Sequence, residues 1–171
     1  RGVRVNLLFK GGISFAEVEQ IAARIHPLGW HIQALIDVSG FERLYERLSR
    51  LPVEVVIDHM GHMDTGKGLD HPGFQALLKL LETGRCWVKL SGAYRFTEQQ
   101  QTPYSDVLPM AQALVEQAPE RMVWGSDWPH PFVHIPMPND GNLLDMLADW
   151  VPDAELRQRI LVDNPARLYD F

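Results

Sequence analysis

The chain has one cysteine, no apolar stretch long enough to span a bilayer and no run of basic residues, and each shortage closes off a class of protein. A lone thiol, Cys86, cannot close an internal disulfide, so a reducing compartment is expected. A membrane-spanning helix needs roughly 20 consecutive apolar residues, which this sequence never supplies. Its 22 acidic residues outnumber 16 Lys and Arg, for a net charge of −6, and no basic cluster is present to track a phosphate backbone. Nucleic acid and membrane surfaces are therefore not expected as partners; a cytoplasmic location, as a monomer or homodimer, is. Low-complexity tracts, inter-domain linkers and a charged-then-apolar leader are missing too. The first residues, Arg1-Gly2-Val3-Arg4, already look like the opening of a strand, which suggests that sequence lies upstream.

What is there, 171 residues at 46% hydrophobic, suffices for a single domain, residues 1–171, with a sizeable core. Short apolar runs alternate with amphipathic stretches, the pattern of βα units around a parallel sheet. Five runs stand out, at residues 3–8, 31–36, 53–59, 86–92 and 121–127. The intervening helices are expected from Ser14, where Ser14 and Glu17 have the spacing of a capping box, then through Phe41, Leu44, Tyr45 and Leu48, near 72–81, and near 105–117. Two terminal helices follow, near 141–150 and 154–162. Five βα units suit an open doubly wound sheet or part of a closed barrel. The placement of His59, Arg95 and Asp127 at or just beyond the ends of separate runs favours the barrel, whose chemistry sits on that ring of loops.

His59 ends the run Val-Val-Ile-Asp-His and would be carried from a dry sheet onto the rim of a pocket, there to ligate a metal or polarise a carbonyl. A purely hydrogen-bonded loop histidine fits the same position. Strand alternation turns Asp58 to the other face, so no chemistry is assigned to it. Asp127 ends Val-Trp-Gly-Ser-Asp and can take a proton from water or hold a metal that activates water; capping the next helix is its ordinary alternative. Arg95, Arg4 and Lys10 can each pair with a substrate carboxylate, although a lone cation is more often a solvated one. His62, His130 and His134 fall in the same loops and suit rim or supporting positions. Cys86 is read as a small core residue, and the Trp and Met residues as packing.

Three stretches then carry a resemblance: Val55-Val56-Ile57-Asp58-His59-Met60-Gly61, Trp124-Gly125-Ser126-Asp127-Trp128-Pro129-His130 and Asn164-Pro165-Ala166-Arg167-Leu168-Tyr169. They resemble the amidohydrolase-2 branch of the amidohydrolase superfamily, and within it the 2-pyrone-4,6-dicarboxylate lactonases of aromatic catabolism. The resemblance extends over nearly the whole chain, including Asn139-Asp140-Gly141. It implies an α/β fold, a (β/α)8 TIM barrel represented by its last five units, strands 4 to 8, plus C-terminal helices. His59 would then end the sixth strand, Arg95 follow the seventh and Asp127 close the eighth. Strands 1 to 3 would be absent, and with them the family's His-x-His pair, a spacing this sequence lacks. In such lactonases a cyclic ester is hydrolysed without a metal. Carried over, Asp127 is the general base, His59 polarises the carbonyl, and Arg95, Arg4, Lys10 and His130 bind a carboxylated small molecule. This sequence has Leu35 where the family pattern has a tyrosine, and Lys10 where it has an arginine.

Two other readings compete. A metal-dependent amidohydrolase or decarboxylase would use His59 and Asp127 as ligands to zinc or a similar ion. A non-catalytic partial barrel would leave an open sheet edge that must pair with another chain. On the resemblance, the 171-residue chain alone is expected to be inactive, since half of the histidine constellation would be missing.

Overall fold

Alternate residues of five short strands point to opposite faces of one parallel sheet, and the two faces carry different chemistry. The computed structural model describes residues 1–171. The strands are β1 (Gly2–Asn6), β2 (His31–Leu35), β3 (Val55–Ile57), β4 (Cys86–Leu90) and β5 (Met122–Trp124). They lie in strict sequence order, each parallel to the next. A doubly wound sheet reverses its strand order at a switch point; this sheet never does, which identifies it as an arc of a (β/α)8 barrel.

The helix-covered face presents Val5, Ile32, Ala34, Val55, Ile57, Cys86, Val88, Leu90 and Met122 to the main hydrophobic core. Against it pack α1 (Phe15–Ile25), α2 (Leu44–Leu48), α3 (Pro72–Leu81), α4 (Leu108–Gln117) and α5 (Asp140–Trp150). The capping box of α1 is formed: Glu17 N donates to Ser14 Oγ, and Ser14 N donates to Glu17 Oε2 at 2.7 Å. Val18, Ala22 and Ile25 supply its buried stripe. Helix α3 spans the expected residues, with Pro72 in its first turn. Cys86 is fully buried, and burial pushes its thiol pKa up, as suits a packing residue.

Three expectations change. The second helix is one short turn; Phe41 lies before it, against the Phe15 ring and under the Arg47 guanidinium. The chain after α6 (Ala154–Gln158) does not stop but widens over Arg159–Asp163 and continues as α7 (Asn164–Tyr169), where Pro165 is tolerated in the first turn. The Trp and Met residues are not all packing: Trp128 and Met137 are exposed, and Trp124 and Trp128 line the cavity described next.

Candidate active site

On β3, β4 and β5 the other face of the sheet begins apolar and turns polar toward the strand ends. Its early positions, Val56, Trp87 and Val123, pack with Leu168 of α7. Its later positions are Arg4 and Asn6 on β1, Gln33 and Leu35 on β2, Asp58 after β3, Lys89 and Ser91 on and after β4, and Gly125 and Asp127 after β5. All of these line one cavity of about 1000 Å³ at the C-terminal ends of the strands, together with His59, Lys10 and Arg95. Phe9, Trp128 and Phe132 add an aromatic rim, where Phe9 and Phe132 meet at a ring separation of 5.8 Å.

Alternation thus places Asp58, not His59, on the cavity face, which corrects the expectation that Asp58 turns to the other face. His59 reaches the same cavity by another route. Strand β3 ends at Ile57, and His59 takes a left-handed conformation, φ 51°, that swings its ring back over the strand ends. The ring sits on Gly92, where an added Cβ would lie 2.7 Å from His59 Nδ1. Gly92 itself has φ +63°, so the residue best suited to that turn also leaves room for the imidazole.

Asp127 also has positive φ, 67°. Its carboxylate is asymmetric in its surroundings. Oδ2 accepts from Tyr94 Oη at 2.6 Å and from Arg95 Nε at 2.5 Å, whereas Oδ1 faces His59 Nε2 across 3.7 Å. His59 Nδ1 lies 2.9 Å from Ser91 Oγ. Burial pushes the His59 imidazole down to about 4, against the opposing charges of Asp127 and Asp58, so it is neutral at pH 7. Burial also raises the Tyr94 phenol, as does its bond to Asp127, which keeps its proton in place as a donor.

The sequence-derived set is therefore brought together in part. His59, Asp127, Arg95, Arg4 and Lys10 line one cavity. His130 does not: it is buried behind Tyr94, ring centroids 5.4 Å apart, with Nε2 at 3.0 Å from Asp140 Oδ1. His62 stands beside His59 at 6.1 Å, and burial lowers its pKa. Arg95, expected on a substrate carboxylate, has its Nε on Asp127. Sequence reasoning missed Asp58, Gln33, Lys89, Ser91 and Tyr94. For Lys89 a signal existed, because a charge inside the buried run Cys-Trp-Val-Lys-Leu must find a partner. As a zinc site these residues do not fit on their own. His59 and Asp127 supply two donors, no third His, Cys, Asp or Glu converges on them, and the Arg95 cation already holds one Asp127 oxygen.

Comparison with known proteins shows that a model of the amidohydrolase family matches residues 1–171. The chain is 41% identical over 180 residues to a 2-pyrone-4,6-dicarboxylate hydrolase from Comamonas testosteroni, covering 99% of this chain and 59% of that protein. It is 40% identical over 161 residues to a 4-sulfomuconolactone hydrolase from Hydrogenophaga intermedia, covering 93% and 53%. An apo crystal structure from Agrobacterium tumefaciens superposes with a TM-score of 0.87 at 33% identity, covering 98% of this chain and 60% of the other. The chain thus spans between half and three fifths of the length of these relatives.

Proposed function

The chain belongs to the amidohydrolase family, and from that premise we propose that the protein hydrolyses a lactone carrying two anionic groups, such as 2-pyrone-4,6-dicarboxylate, with Asp127 as the general base. One observation carries this reading: Asp127 has one oxygen fixed by Tyr94 and Arg95 and the other left toward His59, inside a cavity lined by cations.

A water between Asp127 Oδ1 and the ring carbonyl gives its proton to Oδ1 as its oxygen attacks the carbonyl carbon. Neutral His59, accepting at Nδ1 from Ser91 Oγ, carries its proton on Nε2 and donates it as a hydrogen bond to the carbonyl oxygen while negative charge develops there. The bond from the carbonyl carbon to the ring oxygen then breaks, and the leaving oxygen recovers the proton from Asp127. Product is the ring-opened acid. Arg4, Lys10 and Lys89 hold the anionic groups, and the aromatic rim covers the faces of the ring. Both sequence relatives are named for substrates of this kind, a pyrone dicarboxylate and a sulfonated lactone.

Asp127→Asn in the natural full-length protein tests it. Loss of pyrone absorbance is expected to slow by about 10²–10⁴-fold in kcat, with KM changed much less. Turnover unaffected by the substitution rejects Asp127 as the base. Stoichiometric zinc in the purified protein, with activity that follows it, would move the reading to the metal-dependent alternative.

A further inference from the structure

Asp58 stands next to His59 in sequence, yet every hydrogen-bond and ion-pair partner of its carboxylate is a donor from another strand. It is 1% exposed and accepts from Arg4 Nε at 2.9 Å, from Gln33 Nε2 at 2.9 and 3.1 Å, and pairs with Lys89 Nζ at 3.0 Å. These come from β1, β2 and β4, so four neighbouring strands are tied at one point. Burial alone would raise the acid's pKa, but the Lys89 charge and the hydrogen bonds from Lys89 and Gln33 outweigh it and hold the group below the usual carboxylate range.

Each cation keeps donors to spare. A guanidinium has five N–H groups and an ammonium three. Arg4 gives Asp58 its Nε; its Nη donors make no hydrogen bond within the chain, and its side chain is 53% exposed in the cavity. Lys89 likewise lines the cavity beside Asp58. We infer that Asp58 is a positioning residue, fixing the Arg4 guanidinium and the Lys89 ammonium on the cavity floor as a preformed subsite for one carboxylate of the ligand. This rests on the reading of the cavity as a lactonase site and assigns one of the two anionic groups to that floor.

Two effects of opposite sign make the inference testable. Asp58 is itself negative and repels a nearby anion, so if it acts only through charge, Asp58→Asn tightens anion binding. If it positions the cations, the same change loosens binding, because the new amide turns an N–H toward donors and both cations lose their shared anchor.

Calorimetry with benzene-1,3-dicarboxylate, a planar diacid with no ester to cleave, and with benzoate reads the sign. The full-length wild type should prefer the diacid by about 10-fold or more, and Asp58→Asn should weaken the diacid by about 10-fold and abolish the preference. Gln33→Leu, which keeps the charges of Asp58, Arg4 and Lys89, should weaken the diacid by about threefold, and it decides the matter should Asp58→Asn fail the circular-dichroism and thermal-unfolding checks of its fold. Unchanged or tighter binding of the diacid overturns the inference. A wild type that cleaves no lactone but shows the Asp58-dependent preference defeats the lactonase reading alone. Lactone cleavage abolished by Asp127→Asn, with a diacid preference indifferent to Asp58, defeats the subsite alone.

Discussion

His59 concentrates three physical costs in one residue: a left-handed backbone, a buried imidazole and an unmatched approach to a carboxylate at 3.7 Å. Positive φ at a non-glycine residue costs roughly 1–2 kcal/mol, and Asp127 across the gap bears the same cost. In the proposed mechanism this strain holds the two groups that face each other across the reacting carbonyl. The buried imidazole also makes the stability of the protein depend on pH. Its folded pKa of about 4 lies below the 6.5 of an unfolded histidine, so between these values the unfolded chain binds more protons. Stability from this residue is therefore complete above pH 6.5 and is lost as pH falls toward 4, by about 3 kcal/mol at most. His31 and His62, also lowered by burial, add in the same direction. Denaturant unfolding at pH 7 and pH 4.5 should show the loss in wild type and a smaller one in His59→Gln; equal losses in the two proteins would refute the assignment.

Among the elements, the strands were legible because each is short, apolar and bounded by turn residues, while their polar positions were harder to place. Arg4, Gln33, Lys89 and Ser91 alternate with core residues, and period two alone assigns them to one face. That period misleads where a strand ends early: β3 covers Val55–Ile57, so the expected run 53–59 loses its last two residues to a turn that returns His59 to the Asp58 side. No sequence pattern announces a left-handed histidine. Tyr94 and Ser91 were equally silent, because their roles depend on partners that lie 32 or 33 residues away along the chain. Helix α7 escaped notice for a different reason. It is six residues long and its work is tertiary: Leu168 closes the apolar end of the site face against Val56, Trp87 and Val123, and Arg167 stacks on Trp87 at 4.8 Å. Leu168→Ala should cost about 2–4 kcal/mol of unfolding free energy, read by denaturant titration. Because Leu168 packs on the early strand positions, diacid binding at the strand ends should persist; a stability change under 0.5 kcal/mol would show that α7 does not seal that end.

Over these 171 residues the chain is an anion that holds a cationic pocket. Its net charge is −6, yet its largest cavity is lined by Arg4, Lys10, Lys89 and Arg95 against only Asp58 and Asp127. Such a reversal of sign confines the attraction for anions to one opening and leaves the remaining surface to repel them. Of the four cations, Arg95 is the most buried and already pairs with Asp127, Lys89 lies within the sheet, and Arg4 and Lys10 are exposed, so the pocket's potential has a screened part and a sheltered part. With a Debye length of about 10 Å at 0.1 M ionic strength, salt should weaken the contributions of Lys10 and Arg4 and largely spare that of Lys89. The affinity for benzene-1,3-dicarboxylate is therefore expected to fall several-fold between about 0.02 and 0.5 M sodium chloride, while an uncharged diester of the same ring stays constant. Lys10→Met should flatten more of that dependence than Lys89→Met, although the latter lowers affinity more at every salt concentration. A salt response carried chiefly by Lys89 would mean that the floor is open to solvent, and that the sheet does not shelter the charges it brings together.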